Sequence, residues 1–175
     1  GVDQEESILL LFPDAPYENQ REMLFLKETS EHIAIWEGEK LTKDRAFEVS
    51  GIKTVHWLQD FEKVLFELMT YSDTIYINTN EHYRAKVETE TREARFVKWW
   101  AAKYPAHTVA KSNPILQRIR SVKETEELDL IQNACNITEK GFRRLLSFVK
   151  PNVMEYEIEA ELIHEFIRNR SKGFA

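Results

Sequence analysis

The sequence predicts an α/β domain followed by the helical beginning of a second domain. Up to about residue 112, short apolar runs of strand length alternate with short amphipathic segments, the grammar of a sheet with helices packed on it. Beyond Pro114 every apolar pattern has helical period. A chain of 175 residues has room for one domain and part of another, since domains usually run roughly 100–200 residues. With 42% hydrophobic and 31% charged residues and only five Gly and five Pro, the composition is one that folds rather than one that stays disordered.

The elements follow in order. SILLLFP (7–13) and MLFL (23–26) read as strands joined by a polar, proline-bearing connection, and are expected to pair antiparallel. HIAIW (32–36) is a third, shorter run closed by Gly38. Thr42 offers an N-cap, Ala46 and Val49 share a face, and Gly51 supplies a stop, so a short helix fits between them. TVHWL (54–58) is the next strand, after which Asp60 caps a helix with Phe61, Val64, Leu65 and Leu68 on one side. TIYI (74–77) is a strand, and a helix over 89–103 ends before Pro105.

In the second half, Leu128, Ile131, Cys135, Phe142, Leu145 and Val149 recur at helical steps, skipping only Thr138, as one stripe on a long helix over 125–149. Pro151 and Asn152 break it. A second helix starts at Glu155 with Ile158, Leu162 and Phe166 as its buried face, flanked by Ile163 and Ile167. Two helices with no sheet to cover bury too little surface to offset chain entropy, so this half is expected to be a domain that begins and does not finish.

Charge and cysteine usage narrow the function classes. A formal charge of -6 with basic residues interleaved among acids excludes duplex nucleic acid as the main partner, because that contact needs a basic stripe to displace counterions. Cys135 is the single cysteine; it cannot form an intrachain disulfide, falls in a helical stripe, and is expected to be a core thiol of a cytoplasmic protein. No apolar run approaches the roughly 20 residues of a membrane span, and GVDQEESILLLFP carries no basic leader or cleavage site.

Chemistry-bearing constellations are few. Glu157, Glu161 and His164, with Glu165 beside them, lie four and three apart on one helical face, and Glu161-x-x-His164 has the spacing used in carboxylate-bridged dimetal bundles. Such sites need a second Glu-x-x-His, and the sequence has none. The favoured reading is a solvated face with Glu161 paired to neighbouring cations. His32, His56, His82 and His107 fall in separate elements without a ligand-spaced partner. There is no Gly-rich phosphate loop and no Gly-x-Ser-x-Gly elbow. Trp99-Trp100, with Trp36 and Trp57, raises an interface as the minority reading against half-burial between the sheet and a neighbouring domain. No catalytic, cofactor-binding or metal-binding residue is assigned.

Certain blocks resemble a known family. Ile119-Arg120-Ser121-Val122-Lys123 through Glu127, then Ile131-x-x-Ala134-x-x-Ile137-Thr138-x-x-Gly141-Phe142, is similar to the entry of the catalytic domain in the aminopeptidase P and prolidase group. The likeness continues from Val149-Lys150-Pro151-Asn152-Val153 through Glu155 to Leu162 and into Gly173-Phe174-Ala175. Upstream, Leu24-Phe25, Ile35-Trp36-x-Gly38, Leu41 and Gly51 resemble the creatinase-like N-terminal domain of aminopeptidase P.

The resemblance implies a creatinase-like N-terminal domain over 1–117, a mixed sheet with flanking helices, and over 118–175 the helical start of an α+β pita-bread metallopeptidase domain. It implies a chain cut at both ends, because relatives have strands and a helix before the position of Gly1. It also implies an Xaa-Pro aminopeptidase, which removes the N-terminal residue from peptides with proline second by means of two divalent metals, usually manganese. The family's ligands, two Asp, one His and two Glu, match no position of this sequence; Glu161 and His164 match scaffold positions. Proline-containing peptides as substrates and a homo-oligomer are implied for the complete enzyme, and no peptidase activity for this stretch alone. Two alternatives share the architecture: a homologue without metal ligands that binds peptides or histones, and a creatinase-type amidinohydrolase, which needs no metal.

Overall fold

The computed structural model describes residues 2–30, 32, 34–35, 38–79 and 88–171. The chain divides into two compact units, Gly1–Ser112 and Asn113–Ala175. The sequence-based boundary at 117 therefore falls inside the first helix of the second unit, Asn113–Ser121.

In the first unit, β1 (Ile8–Leu11) pairs antiparallel with β2 (Glu22–Leu26), Ile8 opposite Phe25 and Leu11 opposite Glu22, as the two apolar runs suggested. β2 pairs parallel with β3 (Thr54–Trp57), Met23 opposite Thr54. The crossover between them carries α1 (Lys43–Ser50). A second, two-stranded parallel sheet joins β4 (Thr74–Ile77) to β5 (Thr108–Lys111) around α3 (Arg92–Lys103), while α2 (Phe61–Met69) precedes β4.

β2 is apolar at four successive positions because it is covered on both faces. Successive side chains of a strand point to opposite sides. Met23 and Phe25 enter one cluster with Phe61, Leu65, Leu68 and Met69 of α2, Ile77 of β4 and Trp100 of α3. Leu24 and Leu26 enter another with Ala46 of α1. Full burial of side chains of this size stabilises by roughly 1.5–3 kcal/mol each, so β2 is the energetic centre of the unit.

The helix ends are set locally. Thr42 Oγ1 accepts the Arg45 N–H at 3.2 Å, and Gly51 closes α1 at φ +76°, a left-handed conformation that glycine adopts without a Cβ penalty. Thr91 caps α3 in the same way, accepting the Ala94 N–H at 3.2 Å, so that helix starts later than residue 89. Asp60 is the N-cap residue of α2, but its side chain makes no cap bond; a 3-10 turn, Leu58–Asp60, feeds the helix instead.

One expectation is corrected here, and one strand went unread. The described part of the 32–36 run, His32, Ala34 and Ile35, is helical rather than extended, with the Ala34 N–H bonded to Ser30 O at 3.0 Å and the Gly38 N–H to Ala34 O at 3.1 Å; Ile33 and Trp36 lie outside the described residues. β5 carried no strand signal in the sequence; its state follows from pairing with β4.

In the second unit, α4 (Asn113–Ser121) precedes α5 (Thr125–Phe148) and α6 (Glu155–Arg168). The Glu124 N–H donates to Glu127 Oε2 at 3.0 Å and the Met154 N–H to Glu157 Oε2 at 2.8 Å, so each long helix opens with the carboxylate of its own first turn folded back on the cap. α5 and α6 run antiparallel, since Arg144 meets Glu161 while Lys140 meets Asn169. Gly141 is where they touch: a Cβ built there would lie 2.7 Å from Leu162 Cδ1.

The apolar stripe of α5 is only partly covered. Leu145 is half-buried, whereas Leu128, Ile131, Phe142 and Val149 are each 48–59% exposed. Cys135 is exposed too, which overturns its reading as a core thiol. The physical reason is length: α6 reaches only the C-terminal half of α5.

Candidate functional site

The acidic face of α6 is turned toward α5. Arg144 Nε donates to Glu161 Oε2 at 2.5 Å and Arg144 Nη1 to Glu165 Oε2 at 3.5 Å. Asn169 Nδ2 donates to Glu165 Oε1 at 2.9 Å. Glu161 and Glu165 are one helical turn apart, where like charges repel, and the guanidinium between them offsets that repulsion. The pairing of Glu161 with a cation agrees with the sequence reading, but full solvation does not: the Glu161 and Glu165 side chains are 27% and 12% exposed.

The other members of the constellation are elsewhere. Glu157 is engaged at its own helix cap. His164 is exposed and is not drawn toward the two carboxylates that Arg144 bridges. Among the described residues no three His, Cys, Asp or Glu side chains converge as metal ligands. A dimetal centre therefore does not fit this donor set, in which Arg144 already supplies the cation.

The remaining histidines are packed by different means. His56 stacks on Phe25 with ring centroids 5.3 Å apart. Burial holds its imidazole below the ordinary value, the Lys43 ammonium adds to that, and Asp60 partly opposes it. His107 shares a hydrogen bond between Nε2 and Met69 O at 3.0 Å and sits edge-on to Trp100 and Tyr104. His32 is exposed, and His82 lies outside the described residues.

The tryptophans divide by burial. Trp100 is 1% exposed and belongs to the core, so it offers nothing to a partner. Trp99 is half-buried, stacked on Phe96 with Lys103 Nζ 4.8 Å above its ring. Trp57 carries Lys43 in the same manner at 4.8 Å. Burial also pushes the Tyr104 phenol up.

The first unit holds a cleft of about 660 Å³ between β1 and β4, with Phe61, Leu65, Leu68 and Met69 of α2 and Phe96 of α3 among its lining residues. Its existence depends on how two separate sheets approach, for which the sequence carries no local signal.

Residues 1–76 match the family described as aminopeptidase P, N-terminal domain. Over those residues the chain is similar to that N-terminal domain. Its likeness to that group extends beyond the matched residues. It is 25% identical over 173 residues to the Xaa-Pro aminopeptidase of Escherichia coli K12, which covers 98% of this chain and 39% of the relative. The Haemophilus influenzae Xaa-Pro aminopeptidase is 24% identical over 172 residues, 97% of this chain and 36% of that one. The chain thus spans under two-fifths of the length of these aminopeptidase P relatives.

Solved structures agree. A structure from Bacillus anthracis assigned to aminopeptidase P superposes with a TM-score of 0.75 at 27% identity, over 84% of this chain and 35% of that one. The zinc-substituted E. coli aminopeptidase P in complex with product superposes at 0.64 and 25% identity, over 84% and 34%. Pseudomonas aeruginosa aminopeptidase PepP, at 20% identity and 0.76 over 95% of this chain and 37% of that one, supports the fold. The mixed α/β architecture is that of aminopeptidase P structures. The resemblance first carried by Gly141-Phe142 now has a physical basis, because Gly141 is buried against Leu162 where α5 and α6 cross.

Proposed function

We propose that this chain is the front part of a metal-dependent Xaa-Pro aminopeptidase, a hydrolase that releases the N-terminal residue from peptides with proline second. The observation that supports this most is the reach of the likeness. Identity to E. coli Xaa-Pro aminopeptidase runs through 98% of the chain, so the likeness takes in the helices of the second unit as well as the N-terminal domain.

On this reading, residues 1–117 are the creatinase-like N-terminal domain and 118–175 the first helices of the pita-bread catalytic domain. Two divalent metals, manganese by preference, are held in the complete enzyme by residues other than those described here. Residues 1–175 supply scaffold, and by themselves hydrolyse nothing. The complete enzyme is a cytoplasmic homo-oligomer acting on proline-containing peptides. Among the described residues no helix is long and apolar enough to cross a membrane.

The test uses the complete reading frame loaded with manganese. Release of the N-terminal residue is followed for a peptide with proline second and for the same peptide with alanine there. Cleavage of the proline peptide alone, abolished by a chelator, is the expected result. Cleavage of neither would move the protein to a binding scaffold; metal-independent hydrolysis of creatine would make it an amidinohydrolase.

A further inference from the structure

We draw no further inference here: the strongest candidate, the side-chain cluster of Trp100, Tyr104 and His107 packed ring against ring at the C-terminal end of α3, buries the Trp100 indole nitrogen, the Tyr104 hydroxyl and His107 Nδ1 without hydrogen-bond partners, but the ring contacts do not direct these three atoms at a common point, so no ligand follows from them.

Discussion

His56 shows how one side chain ties packing to pH. Its ring lies against Phe25, and burial, reinforced by Lys43, disfavours the imidazolium in the folded chain. Between the lowered folded value and an unfolded value of about 6.5 the unfolded chain holds more protons, so stability rises with pH across that window. The contribution is complete above about 6.5 and is lost as pH falls toward the folded value. Urea midpoints of the native chain and of His56→Gln, compared across this range, are expected to show the slope in the first and its loss in the second. Gly141 makes a steric prediction. Alanine there gains about 0.8–1 kcal/mol of helix propensity and meets only the end of the Leu162 side chain, which can turn aside, so Gly141→Ala is expected to stay within about 1 kcal/mol of the parent. Gly141→Leu cannot be accommodated and should cost about 1–3 kcal/mol in the melting of α5 and α6. That Glu161 needed a cation was legible in the sequence; that Arg144 provides it was not, because the antiparallel register of two helices decides it.

Elements were legible where their signals are local. Thr42 and Gly51 bracket α1, and Glu155 opens α6, as read from composition and spacing alone. Gly51→Ala places a Cβ in the left-handed region, where nothing lies within 4 Å of it, so the expected loss of about 1–2 kcal/mol is conformational and should appear in thermal unfolding without a change in fold. The described part of HIAIW, His32, Ala34 and Ile35, departs from the strand reading: β-branched and aromatic residues favour strands, while the i→i−4 bonds from Gly38 and Ala34 impose a helical turn. β5 was invisible because Thr108–Lys111 has no apolar alternation and is a strand only through β4. The α5–α6 pair makes its own prediction. Manganese added to the 175-residue chain is expected to leave its melting temperature unchanged within about 1 °C, since Arg144 already serves the carboxylates. Arg144→Ala should cost about 1 kcal/mol, a value set by partial exposure, and should make the loss smaller at high salt. A manganese-dependent rise in the parent would contradict the scaffold role given to Glu161.

At the scale of the molecule the two units differ in how much they bury. The first unit holds Met23, Leu24, Phe25 and Leu26 of β2 at 0–4% exposure and draws α1, α2 and α3 onto its two faces. In the second, the buried residues among those described in the two long helices are Gly141 and Phe166, while Leu128, Leu130, Phe142 and Leu146 remain 54–81% exposed. Burial of apolar surface is the dominant favourable contribution to folding, so opening free energies must follow the same division. Hydrogen exchange on the intact 175-residue chain is expected to find the amides of β2 slowest and those in the first half of α5 faster by about a hundredfold or more, roughly 2.7 kcal/mol in opening free energy. The helical ladder of α5 is as complete there as in its second half, so backbone bonding alone predicts no such contrast. Equal protection along α5 and β2 would mean that the exposed stripe is covered in solution, and would shift attention from a scaffold awaiting its cover to a face already occupied.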